Sequence, residues 1–174
     1  EARKTDLSYS IVYNNLFPDS GLQAGFLADL AGKRDTLYAG GPFPISMTRL
    51  STVGKGVFSG FKDPEQTKDQ HVRIHDGRLS MNDLVEAAQE VTGAEGWTIT
   101  EGNSADEVAK SNKALSEGIF ENWAFLGCIK VASQAEEYGP GFELVHNELL
   151  GLKEHSQDKM KSLAKEIAKS ILSK

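Results

Sequence analysis

The sequence predicts a domain of the α/β class, and three observations support this. Segments with strand-like and helix-like hydrophobic spacing alternate along the chain. The 174 residues are enough for one domain with a sizeable core, and 39% hydrophobic with 25% charged residues is ordinary for a globular protein. The first apolar segment runs into a polar loop and then a helix, an order found beside ligand sites in open α/β sheets.

The segment Leu7–Leu22 combines a predicted strand, a loop and the beginning of a helix. Its apolar part, Leu7–Tyr13, is a predicted buried strand, and the loop Asn14–Asp19 follows it. Ligands of open α/β sheets lie outside the carboxyl ends of the strands, so this loop is a candidate binding site. Its two amides, aromatic ring and proline suit a flat polar ring better than a metal ion. The alternative is an ordinary strand-to-helix connection in which the Asn side chains cap the turn.

The remaining elements follow from hydrophobic periodicity and from the residues that begin and end helices. Further strands are predicted at Asp35–Ala39, Ile45–Thr48, Gln70–His75 and Gly96–Glu101. Helices are predicted over Gly21–Ala31, Ser51–Phe61, Ser80–Thr92, Ser104–Glu117 and Ile119–Glu136, and from Ser156 onward.

Capping residues mark the ends of several predicted helices. Ser80 with Asp83, and Ser104 with Glu107, have the spacing of a capping box, in which two side chains satisfy backbone N–H groups at a helix beginning. Gly32 is placed to end the first helix, because glycine readily adopts the left-handed conformation found there.

The segment Ser51–Phe61 invites comparison with a dinucleotide-binding fingerprint, because it contains Gly54, Gly56 and Gly60. That fingerprint requires a preceding hydrophobic strand and belongs to the first βα turn of its sheet. Neither condition holds here, and the apolar residues of the segment recur at helical spacing. We therefore predict a helix whose glycines allow close packing on a neighbour, in preference to a phosphate loop.

Composition and charge exclude several classes of function. A net charge of −6 and a pI near 5.3 argue against nucleic acid as a direct partner, because phosphate binding requires a basic surface. No apolar run approaches the roughly 20 residues of a membrane span, so no membrane association is expected. The single cysteine, Cys128, rules out an internal disulfide and indicates a reducing, cytoplasmic location.

No sequence motif for a metal site or a catalytic nucleophile is present. His71 and His75 lie too far apart along one predicted strand to share an ion, given a rise of about 3.3 Å per residue. No metal is therefore expected.

The predicted helix Ile119–Glu136 carries apolar residues on several sides, which indicates burial on more than one face or the cover of a pocket. Core packing accounts for most of these residues. One or two of Phe120, Trp123 and Phe125 are candidates for the wall of a substrate pocket, since such pockets are lined mainly by aromatic and apolar groups.

The first six residues, EARKTD, have the pattern of a final helical turn, in which Arg3 and Lys4 suit the C-terminal end. A domain that opens on a helix end followed by a buried strand is expected to be the C-terminal part of a longer protein.

Several segments, in the same order, resemble the NmrA-like, isoflavone-reductase-like proteins, a branch of the atypical short-chain dehydrogenases, in their fungal form. The resemblance covers nearly the whole chain. The segments are Leu7–Asp19, Leu37–Gly41 with Met47–Val57, Pro64–Val72, and Tyr138–Phe142 with Asn147–Leu152.

This resemblance implies the C-terminal portion of a Rossmann-like NAD(P)-binding fold plus a small α+β substrate-binding lobe. Residues 1–40 would end the Rossmann-like core, and residues 41–174 would form mainly the lobe and the C-terminal helices. Asn14, Asn15 and Phe17 match positions near the nicotinamide of NADP or NAD, with NADPH favoured. Asn15 and Leu16 depart from the Gly-Pro common there in fungal relatives. The family's phosphate loop and catalytic lysine lie upstream of residue 1, so no catalytic residue is assigned.

Two functions follow from the resemblance. The first is an NAD(P)-dependent oxidoreductase that reduces a small aromatic or enone-like substrate. The second is a non-catalytic, dinucleotide-sensing regulatory protein that acts through a protein partner. The family's catalytic lysine distinguishes them, and its position lies outside this sequence.

Overall fold

A computed structural model describes residues 7–173 as short strand pairs surrounded by helices. The helix end predicted from residues 1–6 lies outside the described residues. The strands are β1 (Ser10–Tyr13), β2 (Arg34–Tyr38), β3 (Ile45–Met47), β4 (Gln70–Arg73), β5 (Gly77–Leu79) and β6 (Thr98–Gly102). The helices are α1 (Pro18–Gln23), α2 (Leu50–Lys62), α3 (Met81–Thr92), α4 (Ser104–Ser116), α5 (Asn122–Ala132) and α6 (Gln157–Leu172).

The strands pair in a mixture of parallel and antiparallel ladders. β1 pairs with β4 and β2 pairs with β6 in parallel, whereas β3 and β5 are antiparallel. Parallel neighbours require crossover connections, and helices supply part of both crossovers here. A bridge between Leu16 and Met47 brings β3 beside the loop that follows β1. The predicted α/β class is therefore confirmed.

The main hydrophobic core lies where α1, α3 and α6 pack around the β3–β5 pair. Its largest fully buried side chains are Leu27, Ile45, Met47, Leu79, Met81, Leu84 and Met160. A smaller core, formed by Val72, Ile74 and Leu150, lies beside β4. The amphipathic spacing of α3 and α6 thus places their apolar faces against the same strands.

β1 is not the buried strand that the sequence predicts. It begins at Ser10 rather than at Leu7, and Ile11 and Tyr13 are both 40% exposed. β1 is exposed because it hydrogen-bonds to β4 along one edge only, and no strand within residues 7–173 pairs with its other edge.

The outer face of α2 is also apolar and exposed. Phe58 and Phe61 are 65% and 79% exposed, and an apolar groove of about 260 Å³ separates α2 from β1. No helix within the described residues is both long and apolar enough to cross a bilayer.

The predicted ends or caps of three helices were wrong. α1 ends at Gln23 instead of Ala31, because the chain turns through Gly25 at a φ of 67°. α4 is capped by Asn103 rather than Ser104, since the Asn103 side chain accepts the Asp106 N–H at 3.1 Å. α5 is shorter than predicted at both ends.

The capping box at the beginning of α3 is confirmed. Ser80 Oγ accepts the Asp83 N–H at 3.1 Å, and Asp83 Oδ2 accepts the Ser80 N–H at 3.0 Å. Ser156 likewise caps α6 by accepting from Lys159 N.

The glycine-containing segment is the helix α2, as predicted, and Arg49 occupies its N-cap. A Cβ at Gly56 would lie 3.1 Å from Ile74 Cδ1, whereas a Cβ at Gly54 would meet nothing within 4 Å. Close packing therefore explains Gly56 and does not explain Gly54.

Candidate functional site

A cavity of about 500 Å³ opens at the carboxyl end of β1, and we call it the strand-end cavity. Three parts of the chain form its walls: the end of β1 with its loop, the C-terminal half of α5, and the segment 138–142 that follows α5. The lining residues are Val12, Tyr13, Asn14, Asn15, Leu16, Ile129, Ala132, Ser133, Tyr138, Gly139, Pro140 and Phe142. The cavity thus lies where ligands of open α/β sheets bind.

The structure places two of the three predicted nicotinamide-side residues in this cavity. Asn14 and Asn15 line it and are half-buried. Phe17 does not line it, because it is the N-cap residue of α1. Contact of any of the three with a cofactor stays a prediction.

Backbone and side-chain hydrogen bonds hold the loop that carries the asparagines. Asn15 adopts a left-handed conformation with a φ of 54°, which asparagine tolerates better than most residues. Its Nδ2 donates to Pro140 O at 2.7 Å, and Asn14 Nδ2 donates to Asn15 O at 2.8 Å. On the β3 side, Thr48 N donates to Leu16 O at 2.9 Å. The loop is therefore anchored on two sides of the cavity.

The predicted aromatic wall does not line the strand-end cavity. Phe120 is 71% exposed and stacks against Phe125 with ring centroids 6.1 Å apart. Lys110 Nζ lies 5.1 Å from the ring centroid of Trp123. These aromatics lie near the N-terminal end of α5, whereas its C-terminal half faces the cavity. Their role in a substrate pocket stays a prediction.

The strand-end cavity is lined by the end of α5 opposite to the predicted aromatic residues. Ile129, Ala132 and Ser133 form the α5 wall, and the apolar residues of α5 are spread over several sides. Without a clear hydrophobic stripe, the sequence carries no signal for which turn meets the loop after β1.

A second cavity, also of about 500 Å³, is polar, and we call it the polar cavity. Lys130 Nζ contacts Asp35 Oδ1 at 2.5 Å on its wall, and the Asp35 side chain is only 1% exposed. Burial raises the pKa of the Asp35 carboxyl, and the positive charge of Lys130 opposes that shift. The remaining lining residues are Gly25, Asp29, Gly32, Arg34, Thr36, Thr98 and Thr100.

No metal-binding arrangement of three His, Cys, Asp or Glu side chains occurs within residues 7–173. His71 Nδ1 lies 2.8 Å from the Tyr13 hydroxyl oxygen, and His75 is buried in a separate hydrogen-bond network.

The lining of the strand-end cavity combines apolar surface with a polar side chain, the two features that a nicotinamide ring requires. Its aromatic and aliphatic walls suit a planar ring, and the Asn14 amide uses only its Nδ2 in the hydrogen bonds of the described residues. No glycine-rich turn directly after a strand, of the kind that binds a pyrophosphate, occurs in the described part of the chain.

No family model matches this sequence. The chain is similar to the oxidoreductase poxI of Penicillium oxalicum and to its counterpart in strain 114-2 / CGMCC 5302, with 25% identity to each over 138 residues. These matches cover 76% of this chain and 43% of each relative, so the chain spans less than half the length of these relatives.

The fold is similar to the crystal structure of a nucleoside-diphosphate-sugar epimerase from Staphylococcus aureus. The TM-score is 0.59 at 14% identity, and the match covers 94% of this chain and 54% of that chain. At this identity the likeness concerns the fold alone. Together with the parallel strand pairs, it establishes that the chain has the Rossmann-like α/β fold that the sequence predicts.

Proposed function

We propose that this chain forms the nicotinamide and substrate side of an NAD(P)-dependent oxidoreductase that reduces a small aromatic or enone-like substrate. The observation that carries the proposal is the strand-end cavity, which joins the loop after β1 to α5 and the segment 138–142. Similarity to an oxidoreductase over most of the chain supports the same reaction class.

The position of the cavity favours a cofactor ring over an unrelated ligand. It opens beyond the carboxyl end of a parallel strand, where a nicotinamide reaches in a Rossmann-like sheet. Tyr13 and Phe142 supply aromatic surface for a planar ring, and Asn14 supplies a polar group for its carboxamide. NADPH is the favoured form of the cofactor.

The rest of the dinucleotide would be bound by polypeptide beyond the described residues. One edge of β1 has no partner strand within residues 7–173, and the outer face of α2 is apolar and exposed. Both features support this division, because a further strand would pair and pack there. The chain alone is expected to bind the whole dinucleotide weakly, since the first βα turn makes most phosphate contacts in such folds. Micromolar affinity for NADPH in calorimetry on the isolated chain would contradict this division.

In the proposed reaction, the residues of this chain bind and orient the nicotinamide ring and the substrate. The reduced nicotinamide, when bound, supplies the hydride. Asn14 would hold the carboxamide and so fix which face of the ring meets the substrate. Ile129 and Ala132 would pack against an apolar substrate, with Ser133 as a polar neighbour. No described residue is assigned as the proton donor.

The test uses the protein expressed from its complete reading frame, with NADPH and a panel of aromatic enones. We expect loss of reduced-nicotinamide absorbance with at least one substrate. Asn14→Ala should raise the KM for NADPH about fivefold or more, the effect of about 1 kcal/mol from a lost hydrogen bond. Asn112→Ala, on the exposed face of α4, is the matched control. Cofactor that binds and is never oxidised would refute the proposal.

The second candidate is a dinucleotide-sensing regulator with a protein partner, and one observation favours it. Phe120, Phe125 and Leu126 form an exposed apolar patch around the beginning of α5. Such patches mark interaction surfaces when they are contiguous. A partner whose affinity differs between NADP and NADPH would support this function, and an affinity independent of the cofactor's redox state would remove it.

A further inference from the structure

A chain of hydrogen bonds links Glu154 at the surface to Ser46 in the interior. His75 Nε2 lies 2.9 Å from Glu154 Oε1, and His75 Nδ1 lies 2.9 Å from Ser46 Oγ. Ser46 and His75 are fully buried, whereas the Glu154 side chain is 47% exposed. The order of residue types resembles a catalytic serine, histidine and acid.

The serine is not a nucleophile in this arrangement. Ser46 is 0% exposed, so no substrate reaches its hydroxyl. Its Oγ also accepts the Phe142 N–H at 2.9 Å. The hydroxyl therefore binds the backbone of the segment that contains Phe142.

Proton positions in this chain follow from what each group can donate. An ionised Glu154 only accepts, so His75 Nε2 carries the proton that is shared with it. In a neutral imidazole the other nitrogen, Nδ1, then accepts, and it takes the Ser46 O–H. Ser46 Oγ keeps lone pairs for the Phe142 N–H. With the protons assigned in this way, each of these donors and acceptors has a partner.

The end of this hydrogen-bond chain is the wall of the strand-end cavity. Ser46 N donates to Pro140 O at 3.0 Å, and the same carbonyl accepts from Asn15 Nδ2. Ser46 thus holds the segment 138–142 at both Pro140 and Phe142, which line the cavity. Gly139, at a φ of 61°, and Gly141 flank Pro140, so the backbone of this segment depends on contacts from outside itself.

We infer that Ser46, His75 and Glu154 are positioning residues that set the place of the segment 138–142, and through it the shape of the strand-end cavity. Asn147 fixes the backbone of His75, since its Oδ1 accepts from the His75 backbone N–H at 3.1 Å and its Nδ2 donates to the His75 backbone O at 2.7 Å. The effect on cofactor binding rests on the proposed function, whereas the effect on the segment does not.

The first test measures hydrogen exchange of the Phe142 amide by NMR in the chain. Ser46→Ala removes its acceptor and should speed exchange about tenfold or more relative to the wild type. Ser111→Ala is the matched control, because Ser111 is equally buried and its Oγ has no hydrogen-bond partner among the described residues. Equal exchange at Phe142 in the two variants would overturn the inference.

The second test changes Glu154, at the surface end of the hydrogen-bond chain. It can be carried out even if Ser46→Ala fails to fold. Glu154→Ala should speed exchange at Phe142, and Glu154→Gln should restore it, because glutamine keeps an acceptor oxygen at the same reach. The imidazole ¹⁵N shifts should report the Nε2–H tautomer in the wild type. Wild-type exchange at Phe142 in Glu154→Ala would show that Glu154 does not position the segment.

A third measurement separates this inference from the proposed function. NADPH is the probe, and it is titrated into the protein expressed from its complete reading frame and followed by calorimetry. We expect affinity to fall severalfold in Ser46→Ala and to stay unchanged in Ser111→Ala. A wild type that does not bind the probe refutes the proposed function, while the exchange results still decide the positioning role. Unchanged affinity in Ser46→Ala would refute any effect of the segment on the site.

Discussion

Asn15 Nδ2 donates a hydrogen bond to Pro140 O at 2.7 Å and so joins two parts of the chain that lie 125 residues apart. Asn15 belongs to the loop after β1, and Pro140 belongs to the segment after α5. The contact closes one side of the strand-end cavity. Asn15 makes this contact from a left-handed backbone conformation with a φ of 54°.

Asn15→Asp should destabilise the fold by about 1–3 kcal/mol, because it removes one of the two donors to Pro140 O and places a carboxylate oxygen against that carbonyl. Aspartate tolerates the left-handed backbone much as asparagine does, so the change adds no backbone strain. Asn112→Asp on exposed α4 should change stability by less than about 0.5 kcal/mol. Urea unfolding followed by circular dichroism compares them. A stability loss no larger in Asn15→Asp than in Asn112→Asp would show that the contact with Pro140 contributes nothing.

Lys130→Met should destabilise the protein by about 3 kcal/mol at neutral pH, because it leaves the buried Asp35 charge unpaired. Burial already raises the pKa of Asp35, and loss of Lys130 raises it further. The folded variant therefore takes up a proton before the unfolded chain does, so its deficit should shrink as pH falls through the raised pKa.

The double variant Asp35→Asn with Lys130→Met tests the same pair. It should recover most of the stability lost in Lys130→Met, because no unpaired charge remains. Denaturant unfolding at neutral and mildly acidic pH gives both comparisons. A deficit of Lys130→Met that does not change with pH would contradict the assignment to Asp35.

Asp83→Asn should reduce stability by about 1–2 kcal/mol at neutral pH. Burial raises the pKa of the Asp83 carboxyl, but hydrogen bonds from Lys161, Ser80 and Gln157 outweigh burial and lower it from 3.8 to about 2. A carboxyl with a lowered folded pKa stabilises the fold above the unfolded value, so its contribution is present above pH 3.8 and is lost toward pH 2.

The wild type and Asp83→Asn should therefore converge in stability at low pH, which acid-dependent urea unfolding measures. Asp106→Asn, in the first turn of α4, is the control and should cost less than about 1 kcal/mol. A constant difference between the wild type and Asp83→Asn across the pH range would indicate that the charge of Asp83 is not what stabilises α3.

Gly56→Val should destabilise the protein by about 1–3 kcal/mol, because its side chain would be forced against Ile74 and Leu152. Gly54→Val on the same helix should be neutral or slightly stabilising, since the space around Gly54 is open and valine has a higher helix propensity than glycine. Thermal unfolding of the two variants measures the contrast. Similar stabilities would mean that Gly56 does not mark a close contact.

The elements that sequence reasoning located well are those with strong local signals. α3 begins at the Ser80 capping box and α6 begins after Ser156, as their capping residues predict. Both helices bury the apolar stripe that their spacing indicates. The strand that became β5 was missed, because Gly77–Leu79 is too short for a period-2 pattern to appear.

Sequence reasoning identified one wall of the strand-end cavity and did not identify the opposite wall. The loop with Asn14 and Asn15 follows a strand, and that order alone directed attention to it. The opposite wall at Tyr138–Phe142 carries only a turn pattern, and its position depends on Ser46 and Asn15 far away in the chain. No local sequence pattern in either segment predicts that the two segments contact each other.

Sequence pattern sufficed for the α/β class, the beginnings of α3 and α6 and the loop after β1, because capping, turn chemistry and hydrophobic period act over a few neighbouring residues. The folded chain was needed to show that β1 is exposed, that α5 faces the cavity with its C-terminal half, and that Ser46 meets His75 and Phe142. These features arise from contacts between residues tens of positions apart. Such contacts form only when the whole core is packed, since no single segment carries enough buried surface to specify its partner.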